Sequence, residues 1–168
     1  EAALTDALRL SRGMTYKSAI SGLNLGGGKA VLIGDAAKLK SEAYWRRYGK
    51  FVNSLNGKYI TAEDVNTSSF DMEHIGMETE FVTGKPDYMG GSGDPSPLTA
   101  YGVYMGMKAA AKKAWGDDGL SGKRVLVQGA GHVGQYLIGH LVGEGAKVMV
   151  SDINNAKLKE VKEKYPAV

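Results

Sequence analysis

Apolar positions along the chain fall into helical and strand-like stretches in alternation. Leu4, Ala7 and Leu8 recur at helical spacing, and Gly13 is the expected stop. A short second helix over 14–23 would carry Lys17 into a glycine turn. The unbroken apolar run Ala30-Val31-Leu32-Ile33, closed by Gly34-Asp35, predicts a buried strand. Ser41 is a ready N-cap for a helix whose stripe, Tyr44, Tyr48, Phe51, Val52 and Leu55, follows offsets of 4, 7, 8 and 11 and reads as core. Asn56-Gly57 marks a turn before a strand over 58–61. Strand, helix, strand in this order predicts a right-handed crossover between parallel strands, with Ala62, Glu63 and Asp64 at the strand's carboxyl end, where open α/β sheets place ligands. The stretch 67–94 is irregular and rich in glycine, which suits the rim of a cleft. Ser96-Pro97 opens a long helix through Leu98, Tyr101, Met105 and Ala109 that ends near Trp115-Gly116. Then come a strand at Arg124–Gln128, an apolar helix over 136–142 and a strand over 147–150. The pattern is that of an α/β chain with two domains.

Two glycine motifs carry candidate chemistry. Gly26, Gly27 and Gly28 deliver Lys29 to the apolar run. A phosphate-cradling Walker loop would need glycine at position 23 and serine or threonine at 30, where Leu23 and Ala30 stand. That leaves a small ligand pressed against the main chain, or a hairpin with a solvated lysine. The second motif, GAGHVG, spans Gly129–Gly134. A strand leads into it, a helix leaves it, and Asp152 ends the next strand 23 residues after Gly129, close to the spacing of a dinucleotide-binding βαβ unit. Gly129 permits the tight turn, Gly131 lets backbone approach a pyrophosphate, and Gly134 lets helix pack on strand. The N–H groups of the helix start, including those of His132 and Val133, face the phosphates. Asp152 can accept from a ribose 2′-hydroxyl and would repel a 2′-phosphate. No arginine follows it, which favours NAD over NADP. A βαβ unit without ligand, or one binding a nucleotide-like methyl donor, shares this pattern.

Composition narrows the class. Of 168 residues, 43% are hydrophobic and 23% charged, as in globular proteins, and no apolar run reaches the ~20 residues of a membrane span. The absence of cysteine removes disulfides, thiolate catalysis and zinc–thiolate sites and suits a reducing cytoplasm. A net charge of +3, spread over solvated helix faces, gives no nucleic-acid stripe. His74 and His140 lack spaced partners, so no metal site is expected. The start at Glu1, without methionine, hints at a piece of a longer protein.

Met14-Thr15-Tyr16-Lys17, GLNLGGGKAVLIGD over 22–35, YITAEDV over 59–65 and the later fingerprint together resemble the glutamate/leucine/phenylalanine/valine dehydrogenase family, along nearly the whole chain. The resemblance implies a substrate domain with a mostly parallel sheet (1–84), followed by the first part of a Rossmann dinucleotide-binding domain with its connecting helix (85–168). It implies NAD-dependent, reversible oxidative deamination of an aliphatic branched-chain L-amino acid, leucine foremost, to a 2-oxo acid and ammonia. By position, Lys17 would bind the substrate α-carboxylate, Lys29 act as base and Asp64 assist proton transfer. Ala62 would line the side-chain pocket, and Thr99 would contact the nicotinamide. Burial beside a second cation would bring a lysine base towards working pH. Self-association into a homo-oligomer is implied as well. Asn66 stands where leucine-acting members often have glycine. Pocket segments that distinguish substrates would lie before Glu1 and after Val168. Phenylalanine, valine or glutamate as substrate, or a non-catalytic NAD-sensing module, are the alternatives.

Overall fold

Gly13 does not end the first helix. In the computed structural model, which describes every residue from 1 to 168, α1 runs unbroken over Ala2–Ile20. A glycine inside a helix costs only about 1 kcal/mol relative to alanine, and the good helix formers around it absorb that. The chain divides into two compact units, Glu1–Asp94 and Pro95–Val168.

The first unit is mostly helical. After α1 come a single turn, α2 (Ala36–Leu39), then α3 (Glu42–Ser54) and α4 (Ser69–Gly76). Ser41 caps α3 as expected, its hydroxyl accepting from the Tyr44 N–H at 3.2 Å. The core stripe of α3 is rotated from the expected one: Trp45, Gly49 and Val52 are buried, whereas Phe51 is 61% exposed. Gly49 explains the rotation. A Cβ there would lie 2.7 Å from the Ile75 carbonyl oxygen, so only glycine lets α3 come this close to α4. Trp45, Met72, Ile75 and Val82 form the resulting core, with Tyr44 and Tyr48 against it.

Helix α4 occupies part of the stretch expected to be irregular. Its signal is a capping box: the Ser68 hydroxyl accepts from the Asp71 N–H while the Asp71 carboxylate accepts from the Ser68 N–H at 2.8 Å. Lys40 pairs with the same carboxylate at 2.7 Å. Parallel pairing in this unit is one bridge, Thr61 with Val82, with Thr61 N–H donating to the Phe81 carbonyl (3.0 Å) and Thr83 N–H to the Thr61 carbonyl (2.9 Å). The crossover therefore spans α4 instead of α3. Ala30–Ile33 belongs to no strand and makes no ladder hydrogen bonds, and Ile33 is 81% exposed. A strand is stabilised by neighbouring strands, and none pairs with this segment.

The second unit follows the expected order closely. Helix α5 (Ser96–Trp115) starts one residue earlier than expected, on Pro95, and ends at Gly116 in the left-handed conformation. Strand β1 (Arg124–Gln128) pairs in parallel with β2 (Lys147–Ser151), Leu126 opposite Met149, through the crossover helix α6 (His132–Gly143). Helix α7 (Asn155–Lys164), which the charged closing segment concealed, is capped by the Asn154 side chain. Val127, Val148, Ile138, Leu141 and Val161 fill the core on one face of the sheet. On the other face Leu126 and Met149 are 63% and 51% exposed.

Glu144, at the end of α6, ties three segments together. It accepts from Lys108 Nζ at 2.7 Å, from the Tyr104 hydroxyl, and from the Leu120 N–H at 3.0 Å. The Lys108 hydrogen bond, then those of Tyr104 and Leu120, hold its carboxyl down to about 2. A depressed carboxylate contributes stability that is complete above its unfolded value and is lost as pH falls through the folded one. Glu144→Gln should therefore lower the Tm at pH 7, with the difference from the parent shrinking between about pH 4 and pH 2. Thermal melts across that range check it.

Candidate functional site

The glycine run is shaped by close packing in two places. A Cβ on Gly27 would overlap the Ser11 carbonyl oxygen and Thr15 of α1, and one on Gly28 would sit 2.7 Å from the Tyr59 ring. Gly26 meets nothing. The run is thus wedged between the α1 backbone and Tyr59, which leaves Lys29 little freedom in where it emerges. Its ammonium pairs directly with the Asp64 carboxylate, the two side chains being 22% and 50% exposed.

Asp64 is placed by a turn. Its N–H donates to the Thr67 hydroxyl (2.7 Å), which donates back to the Asp64 carbonyl (2.8 Å), and the Thr67 N–H reaches the same carbonyl at 2.9 Å. Asn66 adopts φ +60° in this turn. Glycine and asparagine are the residues that tolerate that conformation, so Asn66 can replace a glycine there without changing the turn. Burial tends to raise the Asp64 carboxyl. The Lys29 hydrogen bond, the Val65 N–H and the charges of Lys29 and Lys17 outweigh it, and the carboxyl lies below its ordinary range. Lys17, exposed in the last turn of α1, therefore acts on the same carboxylate as Lys29. Ala62 is exposed immediately after the Thr61 bridge. Thr67 and Tyr59 were not singled out in the sequence. An Asp-x-x-Thr spacing next to an asparagine was the available signal.

An apolar cavity of about 470 Å³ adjoins Lys29, between Ala30–Leu32 and the α3 side chains Tyr44, Tyr48 and Phe51. The aromatic stripe that read as core lines this cavity for part of its length. The partly buried Tyr48 hydroxyl lies 3.1 Å from that of Thr61, and burial raises its pKa.

In the second unit the glycine fingerprint forms the turn between β1 and α6. Gly129 sits at φ +105°, and a Cβ on Gly134 would overlap the Gly129 carbonyl oxygen, so α6 rests directly on the turn. A Cβ on Gly131 would meet nothing within 4 Å, so the space before the helix is open. No side chain caps α6. The first intrahelical bond is that from Gln135 N–H to the Gly131 carbonyl (2.9 Å), which leaves the N–H groups of His132, Val133 and Gly134 for an anion. Asp152 stands beside this turn, and Thr99 is exposed in the first turn of α5. The His140 ring stacks on Tyr104 at 5.3 Å.

The chain thus carries a Rossmann-type βαβ unit and, in its first unit, the Lys29–Asp64 pair, on which the charge of Lys17 also acts. Two family models match, that of the Glu/Leu/Phe/Val dehydrogenase dimerisation domain over residues 1–81 and that of the glutamate/leucine/phenylalanine/valine dehydrogenases over 90–159. The chain belongs to this family. It is 58% identical over 167 residues to the leucine dehydrogenase of Thermoactinomyces intermedius and 48% identical over 166 residues to the valine dehydrogenase of Streptomyces coelicolor, covering 99% of this chain in each case. It spans about half the length, 46%, of each of these relatives. Among solved structures, L-tryptophan dehydrogenase from Nostoc punctiforme matches over 99% of this chain and 46% of its own, with 44% identity and a TM-score of 0.65. The hetero-hexameric glutamate dehydrogenase of Thermus thermophilus matches over 96% and 44%, with 26% identity and a TM-score of 0.73. No helix is long and apolar enough to cross a membrane.

The packing of the glycine run yields a test. Gly27→Ala must push the run off α1, and overpacking of this kind typically costs about 1–3 kcal/mol. Denaturant unfolding should show that loss, whereas Gly26→Ala, in open space, should be tolerated.

Proposed function

We propose that the full-length protein is an NAD-dependent dehydrogenase that oxidatively deaminates a branched-chain aliphatic L-amino acid, leucine foremost, to its 2-oxo acid and ammonia. The observation that carries this reading is the Lys29–Asp64 pair with the Lys17 charge acting on the same carboxylate. A sensor that only bound a nucleotide would need none of the three. Leucine as substrate is supported by the 58% identity to a leucine dehydrogenase, against 48% to a valine dehydrogenase.

Bound NAD would supply the acceptor for the hydride of the substrate Cα. Residues of this chain do the rest. Lys17 binds the substrate carboxylate as a point charge. Lys29 takes the proton of the substrate ammonium and afterwards that of the water adding to the imine. Asp64, paired directly with Lys29, assists the proton transfer. Ala62, exposed past the bridge, leaves room for a branched side chain. Gly129, Gly131 and Gly134 with the N–H groups of His132 and Val133 hold the pyrophosphate, Thr99 contacts the nicotinamide, and Asp152 takes the adenosine ribose and disfavours a 2′-phosphate. The dimerisation-domain match over residues 1–81 supports a homo-oligomer, and a chain without cysteine suits a reducing cytoplasm.

Full-length protein should form NADH with leucine faster than with valine, phenylalanine or glutamate compared side by side. Lys29→Ala should lower kcat by about a hundred- to ten-thousand-fold, the contribution of a positioned base. Lys17→Ala should act chiefly on KM, as loss of substrate binding does. A Lys29→Ala enzyme as fast as the parent would remove the proposed base.

A further inference from the structure

We propose that the Asp152 carboxylate braces the glycine loop in addition to receiving the ribose, so that one side chain sets both loop geometry and nucleotide selectivity. The ribose half of this statement rests on the NAD reading above; the brace does not.

Asp152 follows β2, whose last residue, Ser151, accepts from the Gly129 N–H at 2.7 Å. From there its Oδ2 accepts from the Ala130 N–H at 2.7 Å and its Oδ1 from the Asn154 N–H at 2.7 Å. Ala130 is fully buried, at 0% exposure. Its N–H lies inside the turn between the first two glycines and has Asp152 as its partner. A buried donor deprived of its acceptor bears the full desolvation penalty. The loop conformation that opens the α6 N-terminus therefore depends on a carboxylate 22 residues further along the chain.

The acceptor count fits both duties. A carboxylate offers about four lone-pair positions. Two are taken by backbone N–H groups, and about two remain for vicinal ribose hydroxyls. An amide would fit worse than its size suggests. Asparagine at 152 would turn an NH₂ towards one of the two N–H donors and lose that bond. Any substitution that removes the carboxylate to admit a 2′-phosphate should thus also disturb the loop that holds the pyrophosphate.

The test compares parent and Asp152→Ala full-length protein by calorimetric titration with NAD and with an NAD analogue whose adenosine ribose lacks both hydroxyls. If Asp152 is a brace, the variant binds the dideoxy analogue about tenfold or more weakly than the parent does, since a charge-assisted hydrogen bond has been lost. If Asp152 serves the ribose alone, parent and variant bind that analogue equally, and the proposal falls. Amide hydrogen exchange on the ligand-free proteins decides the brace without any nucleotide. The Ala130 amide should exchange about tenfold or more faster in Asp152→Ala, with Val127 in β1 unchanged. Equal Ala130 rates overturn the brace. A parent that binds neither nucleotide overturns the NAD reading and leaves the exchange result standing. Should Asp152→Ala not fold, Asp152→Asn, isosteric with the parent, is measured in the same way.

Discussion

Backbone in contact with backbone, at points where no Cβ fits, is the constraint on which both units depend. Gly27 against α1, Gly49 against the end of α4 and Gly134 against the Gly129 carbonyl are three instances. Each one fixes the position of something chemical or structural. The first sets where Lys29 leaves the chain, the second brings the cores of α3 and α4 together, and the third aims the start of α6 at open space. Apolar burial stabilises these units, but it is non-directional. Direction comes from the glycines, since a close main-chain approach has one geometry and larger residues exclude it.

Charge is arranged on this framework at two scales. At the Lys29–Asp64 pair, opposite charges meet on a partly exposed surface, where such a pair contributes little to stability. The Thr67 turn and the wedged glycine run set where the pair forms. At Glu144 the reverse holds. Two donors from α5, Tyr104 and Lys108, and one from the following loop, the Leu120 N–H, converge on one carboxylate that belongs to no candidate site, and the network joins elements of the fold.

Sequence reasoning was most accurate where local signals and tertiary partners coincide. In the second unit the strands, the crossover and Asp152 all lie within one βαβ motif, and the residues that pair are present in the chain. In the first unit the local pattern pointed to a strand at Ala30–Ile33, yet its realisation needs a neighbouring strand and none runs beside it. The capping box at Ser68 and Asp71 is a local helix-start signal, but the glycines downstream of it carry the pattern of a loop. Rotation of the α3 stripe could not be read from spacing, because it is set by a contact between Gly49 and Ile75 that lies 26 residues apart in the chain. Convergence of Lys17, Lys29 and Asp64 was implied by family resemblance, whereas the role of Thr67 in fixing Asp64 emerged from the turn's hydrogen bonds.

The bare side of the β1–β2 sheet has a chemical consequence. Parallel sheets are ordinarily covered on both faces, yet the Met149 thioether, opposite Leu126, is half exposed. Peroxide converts an accessible thioether to a polar sulfoxide and spares a shielded one. Met149 is accordingly a built-in reporter: its rate of sulfoxidation measures how completely that side of the sheet is sheltered in any longer form or assembly of the protein.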